Sequence, residues 1–134
     1  MEDIFVARLM STDLRTVPPE TLVEDAAGVM LEEDIGSVLV VDDDDRIEGI
    51  LTSTDFVRIV KERKPKDRTP VSAYMSTDVV TADPQHSVSD VADLILDQGF
   101  HHLPVVDDDG RAIGIVTTTD ITAYVSHLEA PTPS

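Results

Sequence analysis

The sequence predicts a mixed α/β (α+β) protein built from two copies of one β-α-β-β-α unit. Three observations carry this expectation. Shifted by 65 residues, the chain falls on itself without a gap, and 23 of the 55 positions aligned between Val6 and Val60 are identical, the mark of an internal duplication. Each copy sets a stretch of helical apolar spacing beside short runs rich in Val, Ile and Leu. The last two runs of each copy are joined by reversals, Asp42-Asp43-Asp44-Asp45-Arg46 and Asp107-Asp108-Asp109-Gly110-Arg111, and Asp-Gly is a strong hairpin signal. A copy of about 60 residues is marginal alone, so the two are expected to share a core.

Ile4 to Met10 reads as a short helix, matched by Val71 to Met75, where Thr69 is the expected N-cap and Pro70 the first helical residue. Short extended pieces follow at 14–17 and 79–82, each ahead of a proline-containing turn. Residues 22–33 place Leu22, Val23, Ala26, Ala27, Met30 and Leu31 on one helical stripe. Val88, Val91, Ala92, Ile95 and Leu96 repeat it, with Ser87 as cap and Gly99 as stop. Strands are expected at 37–41 and 47–51, and again at 102–106 and 112–116. Closing helices are expected from about Thr54 to Lys61 and from about Thr119 to Leu128. The repeats thus occupy 5–62 and 70–128. The connection is 63–69, within a segment, 61–68, that holds five of the ten basic residues, and the tail 129–134 is expected to be disordered.

Composition narrows the function classes. Aromatics are 4% against 41% hydrophobic residues, so Val, Ile, Leu, Ala and Met must build the core. No apolar run is long enough to span a bilayer, and Met1-Glu2-Asp3 does not open a secretory signal, so a cytoplasmic protein is expected. With no cysteine, disulfides, thiol catalysis and Cys-ligated metals are excluded. Ten Lys and Arg face 27 Asp and Glu, a net charge of −17. That field repels nucleic acid and anionic membranes. With clear apolar periodicity it suggests a folded surface suited to concentrated salt, where the Debye length is about 3 Å at 1 M, and hence a halophilic source. An ordinary acidic protein is the alternative.

The acidic runs invite a Ca²⁺ or Mg²⁺ reading, but an EF-hand needs alternating ligands over a longer loop with a terminal Glu. Consecutive Asp residues in a tight reversal fit a solvated turn. His101 and His102 enter a strand, where neighbours face opposite sides and do not easily share a metal. The Thr-x-x-Asp elements, Thr52 to Asp55 and Thr117 to Asp120, are the sharpest signal. Each sits where a strand passes into a helix. As capping boxes, the Thr caps and the Asp reaches back. The same geometry also offers helix N–H groups and hydroxyls to a phosphate and a carboxylate to vicinal ribose hydroxyls. The two readings are compatible.

Taken together, the (H/S)-x-(P/L)-V-V-D strand, the Gly-Ile-Val/Leu-Thr after it and the Thr-x-x-Asp helix start, present twice in register, resemble a tandem pair of cystathionine-β-synthase (CBS) domains over about residues 5–126. The resemblance implies two repeats packed sheet to sheet with pseudo-twofold symmetry. It implies clefts that take AMP, ADP, ATP or S-adenosylmethionine, and pairing into a disc-like homodimer. Carried onto this sequence, it gives Asp55 and Asp120 to ribose, and Thr52, Thr54, Thr117 and Thr119 to ribose or phosphate. It puts Thr16, Val17, Thr81 and Ala82 beside the base. Ser37 and Leu39 would line one cleft, and His101, His102 and Pro104 the other. The first copy lacks the family's proline and any basic group, so the second cleft is favoured.

The expected function is therefore a stand-alone regulatory module that binds an adenosine derivative, requires no cofactor and signals to an unknown effector protein. In a −17 field a triphosphate needs Mg²⁺ or strong screening, while a monophosphate or cationic S-adenosylmethionine meets a smaller penalty. One alternative is an interaction scaffold with empty clefts. The other is an Asp-dependent phosphoryl hydrolase, for which neither a P-loop nor a Ser-His-Asp set is present. The chain is accordingly not expected to be an enzyme.

Overall fold

A computed structural model describes residues 4–99 and 101–129; the tail expected to be disordered lies, from residue 130 onward, outside them. The elements run from a 3-10 turn at Val6–Arg8 through β1 (Thr16–Val17), α1 (Val23–Glu33), β2 (Ser37–Val41), β3 (Ile47–Thr52) and α2 (Ser53–Lys61). A second 3-10 turn at Val71–Ala73 leads to α3 (Val88–Gln98), β4 (His102–Val106), β5 (Ala112–Thr117) and α4 (Thr118–Glu129). Each repeat thus has a small sheet flanked by helices.

The chain divides into two compact units, which we name by the acid each carries. The Asp55 unit is Leu14–Val79 with Asp109–Ala112; the Asp120 unit is the chain up to Asp13, Val80–Asp108 and the chain from Ile113. The head of each sequence repeat therefore lies in the unit of the other. In the Asp55 unit, Val71 N–H donates to the Thr21 carbonyl at 2.7 Å and Val23 N–H to the Thr69 carbonyl at 2.9 Å. In the Asp120 unit, Val6 N–H donates to His86 O and Val88 N–H to Ile4 O, at 2.8 and 2.9 Å.

Two glycines permit this docking. A Cβ on Gly49 would stand 2.6 Å from Met75 Sδ and 2.9 Å from the Ser76 carbonyl; one on Gly114 would stand 2.5 Å from Met10 Sδ, with only Met10 side-chain atoms against it. Gly49→Ala must move backbone, and overpacking of this kind costs about 1–3 kcal/mol. Gly114→Ala is expected to cost less, because a methionine side chain can swing aside. Gly28, inside α1 with nothing within 4 Å, is expected to gain about 0.5–1 kcal/mol on conversion to Ala. Urea unfolding of the three variants checks the order.

In the Asp55 unit the sheet order is β1-β2-β3. β1 runs parallel to β2 with Thr16 beside Leu39, and β2 is antiparallel to β3 with Ser37 opposite Thr52. The core there joins Val23, Ala26 and Met30 of α1 to Val38, Val40, Leu51, Ile59, Val71 and Tyr74. In the Asp120 unit β4 pairs with β5, and Val6, Ala82, Val91, Ile95, Leu103, Val105 and Val116 form the core.

Several expectations are corrected. The extended piece at 79–82 forms no strand, only a parallel bridge between Ala82 and Val105. The reason lies in Pro104. At the matching place in the other unit, Leu39 N–H donates to Arg15 O at 3.3 Å, and proline has no N–H with which to repeat that bond. The expected helix at 4–10 is a single 3-10 turn, as is the one at 71–75. Thr69 does not cap it; Pro70 precedes the turn, and Thr69 Oγ1 donates to the Pro65 carbonyl at 2.7 Å. The apolar stripes do not extend to Leu31 and Leu96, which are 83% and 79% exposed, one step off the buried i, i+3, i+7 row of their helices. Ser87 does cap α3, accepting from Asp90 N–H at 3.1 Å, and Gly99 ends it in the left-handed conformation.

Candidate functional site

Each unit carries one strand-to-helix corner. β3 ends at Thr52 and α2 begins at Ser53; β5 ends at Thr117 and α4 begins at Thr118. The turn before the preceding strand is tied to each corner. Ser53 N–H donates to the Gly36 carbonyl at 3.2 Å, and Thr118 N–H to the His101 carbonyl at 3.1 Å. Ser37 is also paired with Thr52 across the β2–β3 ladder in one unit, and the second bond ties the His101 backbone to the start of α4 in the other.

Both corners are capping boxes. Asp120 Oδ2 accepts from Thr117 N–H at 2.9 Å and from Thr117 Oγ1 at 3.1 Å, while Asp120 N–H donates to Thr117 Oγ1 at 3.2 Å. Asp55 Oδ2 accepts from Thr52 N–H at 2.8 Å and from Thr52 Oγ1 at 3.3 Å. The backbone donor at a helix start must be satisfied, and an acid three residues on is the residue type that reaches it. Capping uses one carboxylate oxygen. In Asp55 the other oxygen accepts from Arg58 Nη1 at 3.2 Å. In Asp120 no partner for the other oxygen is found among the described residues.

The expected site residues fall into three groups by exposure. Val17, Ser37, Leu39, Asp55, Ala82 and Pro104 are buried; Thr16, Thr54, His101 and Thr119 are exposed; Thr52, Thr81, His102, Thr117 and Asp120 lie between. Thr81 and Ala82 approach Pro104 through the backbone, Ala82 N–H donating to the Pro104 carbonyl at 2.9 Å. Thr16 and Val17 lie against Leu39 and Val40 through the β1–β2 ladder. Thr54 and Thr119 sit in the first turns of α2 and α4.

Arg58, Tyr74 and Glu62 were not anticipated. The Arg58 guanidinium stands 5.3 Å above the Tyr74 ring, and Tyr74 Oη donates to Glu62 Oε1 at 2.9 Å. Burial raises the Tyr74 pKa, and the bond to Glu62 adds to it. The signal was present in the sequence: Arg58 lies three residues from Asp55, helix-neighbour spacing, and position 123 of the other copy holds alanine.

Burial lowers the His102 pKa below the usual imidazole value, and the neighbouring His101 adds to the effect. An unfolded chain titrates this group near 6.5. As pH falls below about 6.5 the unfolded state takes a proton that the folded state resists, so stability is full above that point and declines toward the depressed folded value. Chemical denaturation at pH 7.5 and 5.5 is expected to show this loss, reduced in His102→Gln, which carries no titrating ring.

The acidic reversal is held as a turn. Asp42 Oδ1 accepts from Asp44 and Arg46 N–H groups, both at 2.9 Å. Arg46 Nε donates to the Asp109 carbonyl and Arg111 Nε to the Asp44 carbonyl. Among the described residues no group of His, Asp or Glu side chains is placed to hold a metal ion, and no helix is long and apolar enough to cross a membrane.

Known proteins align with this arrangement. Residues 6–62 and 71–127 each match the family model of the CBS domain. A 17.7 kDa protein of Acidianus ambivalens is 34% identical over 116 residues, covering 87% of this chain and 70% of its own length. The CBS domain pair of protein MJ0100, solved in complex with 5′-methylthioadenosine and S-adenosyl-L-methionine, superposes with a TM-score of 0.88 at 26% identity, covering 96% of this chain and all of that one. The protein CBSX2, solved in complex with AMP, superposes with a TM-score of 0.84 at 26% identity, covering 93% of this chain and 98% of that one.

Proposed function

The chain belongs to the CBS domain family, and we propose that it is a regulatory module that senses an adenosine derivative and passes the signal to a partner protein. The carrying observation is the Asp120 corner, where one carboxylate oxygen serves the helix and the other has no partner among the described residues. AMP, 5′-methylthioadenosine and S-adenosylmethionine, the ligands of the related structures, share an adenosine whose ribose presents two neighbouring hydroxyls. A carboxylate accepts from such a pair, as acids do in other nucleotide sites. Thr117 and Thr119 supply hydroxyls for ribose or phosphate, and the first N–H groups of α4 favour an anion. Thr81 and Ala82 would meet the base, and His101, His102 and Pro104 the remaining wall. In the other unit, Thr16, Val17, Ser37, Leu39, Thr52, Thr54 and Asp55 hold the corresponding positions.

Signalling follows if the ligand binds one arrangement of the chain better than another. No catalytic step is proposed, because each acid is engaged by its own helix start and, among the described residues, no nucleophile with an activating base is seen beside it. Of the ligands, AMP and S-adenosylmethionine are favoured over ATP, which in a −17 field needs Mg²⁺ or concentrated salt to screen its charge. The surface suits a salty cytoplasm of a halophile.

The exposed Leu31 and Leu96 occupy equivalent positions of the two repeats, which supports a homodimer with helix faces at its interface. Sedimentation in molar KCl is expected to give twice the chain mass, and Leu31→Glu with Leu96→Glu the chain mass alone.

The deciding experiment is a thermal and calorimetric screen of AMP, ADP, ATP with and without Mg²⁺, S-adenosylmethionine and 5′-methylthioadenosine in molar KCl. A ligand at 100 times its Kd adds about 2.7 kcal/mol of stability. No shift with any of them favours the scaffold reading.

A further inference from the structure

We infer that the two acid corners are not equivalent: Arg58 occupies the Asp55 carboxylate and closes that corner to a ribose, leaving Asp120 as the acid that holds one. This inference rests on the adenosine reading above. A carboxylate that receives two neighbouring hydroxyls must offer free lone pairs toward the sugar. Three of the roughly four acceptor positions of the Asp55 carboxylate are taken, against the two that the cap takes from Asp120. Oδ2 takes Thr52 N–H and Oγ1, and Oδ1 takes Arg58 Nη1 at 3.2 Å. The Asp55 side chain is 6% exposed.

Arg58 is itself held, with its guanidinium 5.3 Å from the Tyr74 ring centre and that ring anchored by Glu62. None of these three residues recurs at a distance of 65: the matching positions are Ala123, Leu9 and His127. Asp120 has the same cap without the arginine, and it is partly open to solvent. The duplicated motif therefore keeps its helix-capping role in both units and its sugar-holding role in one.

The pairing can be transplanted as well as removed. Calorimetry with AMP in molar KCl, at matched protein concentration, compares the wild type with Arg58→Ala, Arg58→Gln, Ala123→Arg and Ala123→Met. The wild type is expected to bind one AMP per chain. Ala123→Arg, on an exposed helix position, places a guanidinium three residues from Asp120 and is expected to weaken binding at least about tenfold, the scale of one hydrogen bond to a charged group. Ala123→Met adds bulk without charge and is expected to stay within about threefold of the wild type. Arg58→Ala and Arg58→Gln are expected to raise the stoichiometry to two; the Gln variant keeps the stem, so the result does not hinge on lost packing. Two AMP bound per wild-type chain, no second site in either Arg58 variant, or equal binding by Ala123→Arg overturns the inference and leaves the adenosine reading standing. No heat from AMP or 5′-methylthioadenosine with any variant overturns both.

Discussion

Asp120→Ala is expected to lower the affinity for AMP by about 10- to 100-fold in calorimetry, while costing only about 1 kcal/mol of folding stability. The two effects have separate causes. Hydrogen bonds from sugar hydroxyls to a carboxylate involve a charged acceptor and contribute about 1.5–3 kcal/mol each. Two such bonds from adjacent hydroxyls to one acid are not additive, so the lower end of the range is the safe floor. The stability term comes from the cap. Thr117 N–H loses its acceptor at 2.9 Å, and lost capping interactions cost about 0.5–2 kcal/mol. Asp120→Asn divides the effects further, since its amide oxygen can still accept from Thr117 N–H while its NH₂ group replaces a charged acceptor. A variant that unfolds more easily yet binds AMP as well as the wild type would assign Asp120 to the helix alone.

Leu103→Ala is expected to destabilise the protein by about 2–5 kcal/mol in urea unfolding, the cost of emptying a fully packed leucine site. Leu103 is 0% exposed and sits in the core with Val6, Ala82, Val91, Ile95, Val105 and Val116. Its neighbours in the chain, His102 and Pro104, are among the residues proposed to line the site. Val60→Ala, on α2 but 77% exposed, is expected to change stability by less than about 0.5 kcal/mol. Similar losses for the two would contradict the core as described.

Strand and helix positions were legible because the apolar spacing repeats with the chain. The strands at 37–41 and 102–106 coincide with β2 and β4, and Ser87 and Gly99 bound α3 as expected. The exchange of heads was not legible. Met-Ser-Thr-Asp stands in both heads, at 10–13 and 75–78, so the apolar pattern fits either unit equally well. Tertiary packing alone decides it, through contacts such as Met75 on Gly49 and Met10 on Gly114. The missing strand near 79–82 was within reach, since a proline at 104 opposite leucine at 39 removes one N–H; that follows only once the parallel pairing of β1 with β2 is known.

The site shows the same division. The Thr-x-x-Asp corners were identified because a strand end, a helix start and an acid at the third position form a local pattern. What each acid does depends on residues that pattern omits. Arg58 is visible as a helix neighbour of Asp55, but Tyr74, which supports it, comes from the head of the other repeat. Comparing the two copies position by position, Arg58 against Ala123, is the sequence-level operation that exposes the asymmetry.

In the proposed site the Asp120 carboxylate receives the vicinal hydroxyls of a ribose. A double-mutant cycle tests it directly: the affinities of AMP and 2′,3′-dideoxy-AMP for the wild type and for Asp120→Asn, by calorimetry in molar KCl. Removing the hydroxyls is expected to weaken binding to the wild type at least about tenfold and to Asp120→Asn much less, a coupling of about 1.4 kcal/mol or more. Equal affinity of the wild type for the two nucleotides would contradict it.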